Sequence, residues 1–92
     1  MSKICKHVFV SGRVQGVWFR QSTVEQAQTH GLTGWVRNLP DGRVEVMMYG
    51  ESNAVLQVES WLSKGPALAN VAEVESEELE YEDFHEGFLI TG

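Results

Sequence analysis

The chain has 92 residues and a formal net charge of −6, with 42% hydrophobic and 22% charged residues. These values are typical of one small globular domain, which we expect to span residues 1–92. The sequence pI of about 4.9 argues against nucleic acid or an anionic membrane as the main partner, because both require a basic surface.

The single cysteine, Cys5, excludes an intramolecular disulfide and fits a reducing compartment. No stretch approaches the roughly 18 apolar residues that a transmembrane helix needs. The first residues also lack the apolar region of a signal peptide. We therefore expect a cytoplasmic protein without membrane association, and for this size a monomer.

The first half of the chain predicts a strand, a helix and a second strand. Residues 4–11 alternate between apolar and polar positions, as strands do. Residues 22–25 read Ser-Thr-Val-Glu, a capping-box pattern for a helix whose first turn is allowed to begin a residue or two earlier. Gly31 is a suitable left-handed stop for that helix, and residues 32–38 predict the second strand.

The second half predicts a hairpin, a helix and further strands. Residues 39–42 read Leu-Pro-Asp-Gly, which is turn chemistry, and residues 43–49 alternate as a third strand. A second helix begins near Ser52 or Asn53 and ends at Gly65-Pro66. Residues 70–79 predict a fourth strand, and residues 84–90 add a short edge strand. The acidic run over residues 73–86 is interpreted as a solvated face rather than a metal site.

The element order βαββαβ is that of the split βαβ, or ferredoxin-like, plan. It predicts an α+β sandwich with a four- to five-stranded antiparallel sheet and two helices on one face.

The connection between the first strand and the first helix is the most informative segment, and it reads Gly-Arg-Val-Gln-Gly-Val-Trp-Phe-Arg over residues 12–20. Gly16 permits positive φ, and successive N–H groups before a helix N-terminus form an anion-binding concavity. Arg20 adds a planar fork suited to phosphate or carboxylate. The segment matches neither a Walker A loop nor a dinucleotide fingerprint. A glycine-rich turn without a ligand is the simpler alternative.

Asn38 ends the second strand just before the predicted turn. Its carboxamide both donates and accepts hydrogen bonds, so it could orient a water beside a bound phosphorus without titrating. A turn-initiating asparagine is the alternative that the local sequence favours. Arg13 and Arg37 are expected to lie in solvent, as most arginines do.

Together these segments closely resemble the common-type acylphosphatases, small cytosolic ferredoxin-like enzymes that hydrolyse the carboxyl–phosphate bond. The resemblance covers about residues 6–75. The matching segments are Gly-Arg-Val-Gln-Gly-Val at 12–17, Phe-Arg at 19–20, Gly-Leu-x-Gly-Trp-Val-Arg-Asn at 31–38 and Asp-Gly-x-Val-Glu at 41–45.

The resemblance implies that Arg20 binds the phosphoryl oxygens and that Asn38 positions the attacking water. It also implies an acyl phosphate as substrate, inorganic phosphate as product and competitive ligand, and neither a metal nor another cofactor. The segment whose backbone amides are implied to hold the phosphate consists of Gln15, Gly16, Val17, Trp18 and Phe19.

Three positions stay open at this point. Trp18 either shields the pocket or packs beside it. Leu39 stands where many relatives carry a hydroxyl residue, and the last residues lack the aromatic or basic end often found there, which leaves the closure of the sheet edge open.

Two other classes of function remain as alternatives. One is a non-catalytic ferredoxin-like module that binds a small anion or a partner protein. The other is an RNA-binding domain, which requires basic surroundings and exposed aromatic residues on the central strands. Glu45 and Met47 on the third strand, together with the acidic pI, disfavour the latter.

Overall fold

A computed structural model describes residues 2–92. Its elements follow the predicted order βαββαβ, and the short edge strand predicted over residues 84–90 is present but limited to residues 88–90. The strands are β1 (Lys3–Arg13), β2 (Thr33–Asn38), β3 (Val44–Glu51), β4 (Asn70–Leu79) and β5 (Phe88–Ile90). The helices are α1 (Phe19–Thr29) and α2 (Ser52–Leu62).

The strands form one five-stranded sheet in the order β4-β1-β3-β2-β5. The first four pair antiparallel, which confirms the ferredoxin-like arrangement. β5 instead pairs in parallel with β2, so the sheet is mixed and the prediction of a wholly antiparallel sheet is wrong for this strand. The cause is topological. β4 runs opposite to β2, so it finishes at the end of the sheet where β2 begins. β5 starts from that same end and therefore runs in the direction of β2.

The core lies between the sheet and the two helices. Alternate side chains of the strands face the helices because strand residues have a period of two, and both helices contribute apolar residues spaced three or four apart. The result is one continuous cluster of buried side chains. Its fully buried members include Val8, Val10, Phe19, Val36, Val46, Met48, Val55, Val58 and Leu62.

The start of α1 differs from the predicted capping box. The helix begins at Phe19, and the Ser22 N–H already donates within it to the carbonyl of Trp18, at 3.0 Å. Trp18 occupies the N-cap position with φ of 67° and makes no side-chain capping bond. The first turn is anchored instead by the buried ring of Phe19, whose centroid lies 5.7 Å from that of Trp61.

The ends of α1 and β2 follow the predicted turn chemistry. Gly31, with φ of 72°, follows the last turn of α1, as its sequence position predicts. After β2 the Gly42 N–H donates to the Leu39 carbonyl at 3.1 Å, which closes the predicted hairpin turn. Neither helix within residues 2–92 is long and apolar enough to cross a membrane.

Candidate active site

β1 and β2 finish at the same end of the sheet. Both strands pair antiparallel with β3, which lies between them, so they run in the same direction. Their carboxyl ends therefore lie at the same end of the sheet, with the start of β3 between them. This places Asn38, the last residue of β2, next to the β1–α1 loop, which we define as residues 14–18.

The side chain of Asn38 faces the helices. Val36 is fully buried in the core, and Asn38, two residues later, points to the same face of the sheet. Its Oδ1 atom is buried and accepts no hydrogen bond from any part of residues 2–92. A buried carboxamide oxygen without a donor is costly, so this atom is poised to accept a hydrogen bond from a molecule that enters the site.

The backbone of the β1–α1 loop is rich in unpaired donors. Within residues 2–92, none of the N–H groups of residues 15–18 donates to a backbone or side-chain acceptor. Gly16 and Trp18 have φ of 75° and 67°, so left-handed residues interrupt the loop. Such alternation turns successive N–H groups toward one point, and the first N–H groups of α1 add to them. This backbone geometry is suited to a bound anion.

A cavity of about 450 Å³ lies between this loop and Asn38. It brings together five of the predicted site residues: Gly16, Trp18, Phe19, Arg20 and Asn38. The structure adds Val14, Gln21 and Ile90, which the sequence interpretation missed. We call this space the loop cavity.

Two predicted site residues do not line the loop cavity. Val17 is only 3% exposed and belongs to the hydrophobic core. The side-chain amide of Gln15 donates to the carbonyls of Leu39 and Arg43, each at 2.9 Å. Gln15 and Val17 can thus reach an anion only through their backbone N–H groups, and the Gln15 side chain has a structural task.

Arg20 is the half-buried cation of the loop cavity. Its guanidinium forms no ion pair within residues 2–92, whereas Arg37 pairs with Glu45 and Arg43 pairs with Asp41. Arg37 also lies over the ring of Trp35, on the face of the sheet away from the helices. Arg13 is exposed at the end of β1. Arg20 is therefore the arginine whose charge is available to an anion in the loop cavity.

The opposite face of the sheet holds a separate charge cluster. Glu45 accepts from the Arg37 Nε at 2.5 Å and from the His7 Nε2 at 2.6 Å. Burial by itself would raise the pKa of Glu45, but the hydrogen bonds from His7 and Arg37 outweigh it and hold that pKa below its ordinary value. The sheet separates this cluster from the loop cavity.

No group of three or more histidine, cysteine, aspartate or glutamate side chains within residues 2–92 is placed to hold a metal ion. The side chains that line the loop cavity are two amides, one guanidinium and apolar groups. This set suits an oxyanion rather than a cation.

The fold and the site define a small α+β protein of the ferredoxin-like class, in which the first loop, the first helix and the second strand surround a cavity suited to an oxyanion. Comparison with known proteins narrows the class. The family model described as "Acylphosphatase" matches residues 6–90. The chain belongs to the acylphosphatase family, and its enzyme class is that of the acylphosphatases.

Individual acylphosphatases align with this chain over nearly its full length. The acylphosphatase of Pseudomonas paraeruginosa is 52% identical over 90 residues, which cover 98% of each chain. The structure of an acylphosphatase from Coxiella burnetii superimposes with a TM-score of 0.91 at 43% identity, over 97% of this chain and 93% of that one. The acylphosphatase from Bacillus subtilis gives 0.92 at 32% identity, over 97% and 99%.

Proposed function

We propose that this chain hydrolyses acyl phosphates to a carboxylate and inorganic phosphate in the loop cavity. Arg20 and the loop N–H groups bind the phosphoryl group, and Asn38 positions the attacking water. The observation that carries this assignment is the buried Asn38 Oδ1, which has no donor among the described residues and borders the cavity that Arg20 also lines.

Phosphate binding rests on the loop and Arg20 together. The unpaired N–H groups of residues 15–18 supply fixed dipoles, and Arg20 supplies a full charge. Both are in place before the reaction, so they stabilise the charge on the equatorial phosphoryl oxygens without reorganising. Held in this way, the phosphorus presents one face to water and the opposite face to the acyl oxygen.

Asn38 acts on the water. Its Oδ1 accepts a hydrogen bond from the water and so directs a lone pair of the water oxygen at phosphorus. The new O–P bond forms as the bond between phosphorus and the acyl oxygen breaks. The electron pair of that broken bond leaves on the carboxylate, and the proton of the water passes to a phosphoryl oxygen.

The leaving group explains why few catalytic side chains suffice. A carboxylate is the conjugate base of an acid with a pKa of about 4, so it departs without a general acid. Positioning and charge stabilisation supply most of the rate in phosphoryl transfer. We accordingly propose that the reaction needs neither a metal nor another cofactor, and that inorganic phosphate competes with substrate.

The direct test is hydrolysis of benzoyl phosphate in the presence of EDTA. Wild type is expected to turn over, while Arg20→Ala loses at least ~10²-fold in kcat/KM because a charged transition-state donor is gone. Arg13→Ala is the matched control, since Arg13 is exposed outside the loop cavity. Folded wild type that binds phosphate but hydrolyses nothing would instead favour the anion-binding module, and inhibition by EDTA would contradict metal-free catalysis.

A further inference from the structure

We infer that Trp18 and Ile90 form an apolar rim that recognises the acyl part of the substrate, so that the enzyme prefers acyl phosphates with aromatic or long aliphatic acyl groups. This inference rests on the proposed function and names the substrate class of the same site. Both residues line the loop cavity. They come from opposite ends of the chain, one from the β1–α1 loop and one from β5.

The first observation is the backbone of Trp18. Its φ of 67° makes it the one residue other than glycine with positive φ within residues 2–92. A bulky aromatic residue rarely adopts this conformation, because its Cβ crowds the following carbonyl. Glycine would occupy the position without strain. The loop backbone accounts for the left-handed conformation but not for a tryptophan in it, so the side chain itself requires an explanation.

The second observation is that packing does not account for the side chain. Trp18 is 75% exposed, the most exposed of the large hydrophobic residues within residues 2–92. It therefore gains little from burial in the folded protein. An exposed tryptophan at the mouth of a binding cavity is suited to ligand contact, because its rigid ring offers much apolar area at low entropic cost.

The third observation is the gradient of burial around the loop cavity. Val14 and Phe19 are 1% and 2% exposed and form its floor, whereas Ile90 is 45% exposed and lies with Trp18 at the rim. The parallel pairing of β5 with β2 brings Ile90 to this end of the sheet, since Ile90 pairs with Val36 two residues before Asn38. The rim is therefore apolar on two sides.

The geometry of an acyl phosphate fits this arrangement. Its charged phosphoryl end is held by the loop N–H groups and Arg20, and its acyl end extends away from them. An acyl group that reaches the mouth of the loop cavity contacts the ring of Trp18 and the aliphatic side chain of Ile90. A methyl group is too short to cover both side chains, whereas a phenyl ring or an alkyl chain removes their apolar area from water.

The test compares two substrates and two inert ligands in matched variants. Trp18→Gly removes the ring at a position where glycine is relaxed, Trp18→Asn keeps a side chain that tolerates positive φ, and Trp18→Phe retains an aromatic ring. For each variant we compare the kcat/KM for benzoyl phosphate with that for acetyl phosphate. Both substrates carry the same phosphoryl group, so the ratio of the two values reports only the effect of the variant on recognition of the acyl group. Binding of phenylphosphonate and methylphosphonate, measured by calorimetry, reports the same preference without turnover.

We expect the benzoyl-to-acetyl ratio to fall about tenfold in Trp18→Gly and Trp18→Asn, mainly through KM, and to stay near wild type in Trp18→Phe. Ile90→Ala should lower the ratio by a smaller factor. Equal ratios in wild type and Trp18→Gly, or equal binding of both phosphonates to wild type, would overturn the inference. If wild type prefers phenylphosphonate yet hydrolyses neither substrate, the proposed function fails while the rim stands.

Discussion

The side-chain amide of Gln15 lies 2.9 Å from the carbonyl oxygen of Leu39, and so ties the β1–α1 loop to the residue that follows Asn38. The same nitrogen donates to the Arg43 carbonyl across the turn, also at 2.9 Å. Two segments that are distant in sequence are thereby held in one geometry: the loop that we propose to bind phosphate, and the Asn38 carboxamide that we propose to position the water. A hydroxyl side chain at position 39 is not needed for this link, because the backbone of Leu39 serves.

Gln15→Ala should therefore reduce catalysis although the Gln15 side chain does not line the loop cavity. Loss of two hydrogen bonds should lower the free energy of unfolding by about 1–2 kcal/mol. A shift of the loop relative to Asn38 should cost roughly 10- to 100-fold in turnover. Gln28→Ala, an exposed position on α1, is the control. Wild-type kcat in Gln15→Ala would refute the positioning role.

Gly16 offers a test of the loop backbone that separates strain from function. Gly16 and Gly31 have nearly equal φ values, 75° and 72°, and a Cβ added at either would meet nothing within 4 Å. Alanine at each should therefore destabilise the fold by a similar amount, about 1–2 kcal/mol. Only Gly16→Ala should weaken phosphate inhibition and turnover, because Gly31 ends α1 away from the loop cavity. Comparable kinetic losses in both variants would argue that strain alone is responsible.

Glu45 should make stability depend on pH in the acid range. Because its folded pKa lies below the ordinary value of 4.5, its contribution is present above that value and is lost as the pH falls through the folded pKa. Glu45→Gln should be less stable than wild type by about 1 kcal/mol at neutral pH, and this difference should be smaller at an acidic pH well below 4.5, the ordinary pKa of the group. Unfolding curves at both pH values measure this. A stability difference for Glu45→Gln that stays constant between the two pH values would contradict the assignment.

Much of the fold follows from local pattern. The alternation of apolar and polar residues predicts β1 and β3. The end of α1 and the turn after β2 are predicted by Gly31 and by Asp41-Gly42, because the backbone preferences of these residues act without tertiary contacts. The start of α1 does not follow in this way, because burial of Phe19 and the left-handed Trp18 displace the capping pattern at Ser22. Tertiary packing outweighs a local capping preference here.

Some residues of the candidate site could likewise be recognised from the sequence, whereas others are revealed only by the structure. Gly16, Arg20 and Asn38 stand out in sequence because their residue types carry chemistry, and the structure brings them to one cavity; their catalytic roles stay predictions. Ile90 could not be recognised from sequence, since its place depends on the course of residues 80–87 and on parallel pairing with β2. The side-chain task of Gln15 was likewise hidden, because both of its partners are backbone carbonyls.

We propose that Arg20 binds the phosphoryl group and that Asn38 positions the attacking water. The most direct test measures the binding of inorganic phosphate to Arg20→Ala and Asn38→Ala by calorimetry, together with the kinetics of both variants on benzoyl phosphate. Both variants should lose at least ~10²-fold in kcat/KM. Phosphate binding should be abolished in Arg20→Ala and nearly retained in Asn38→Ala, where the loss falls on kcat. Equal loss of phosphate affinity in the two variants would contradict the account, because Asn38 would then bind the phosphoryl group rather than the water.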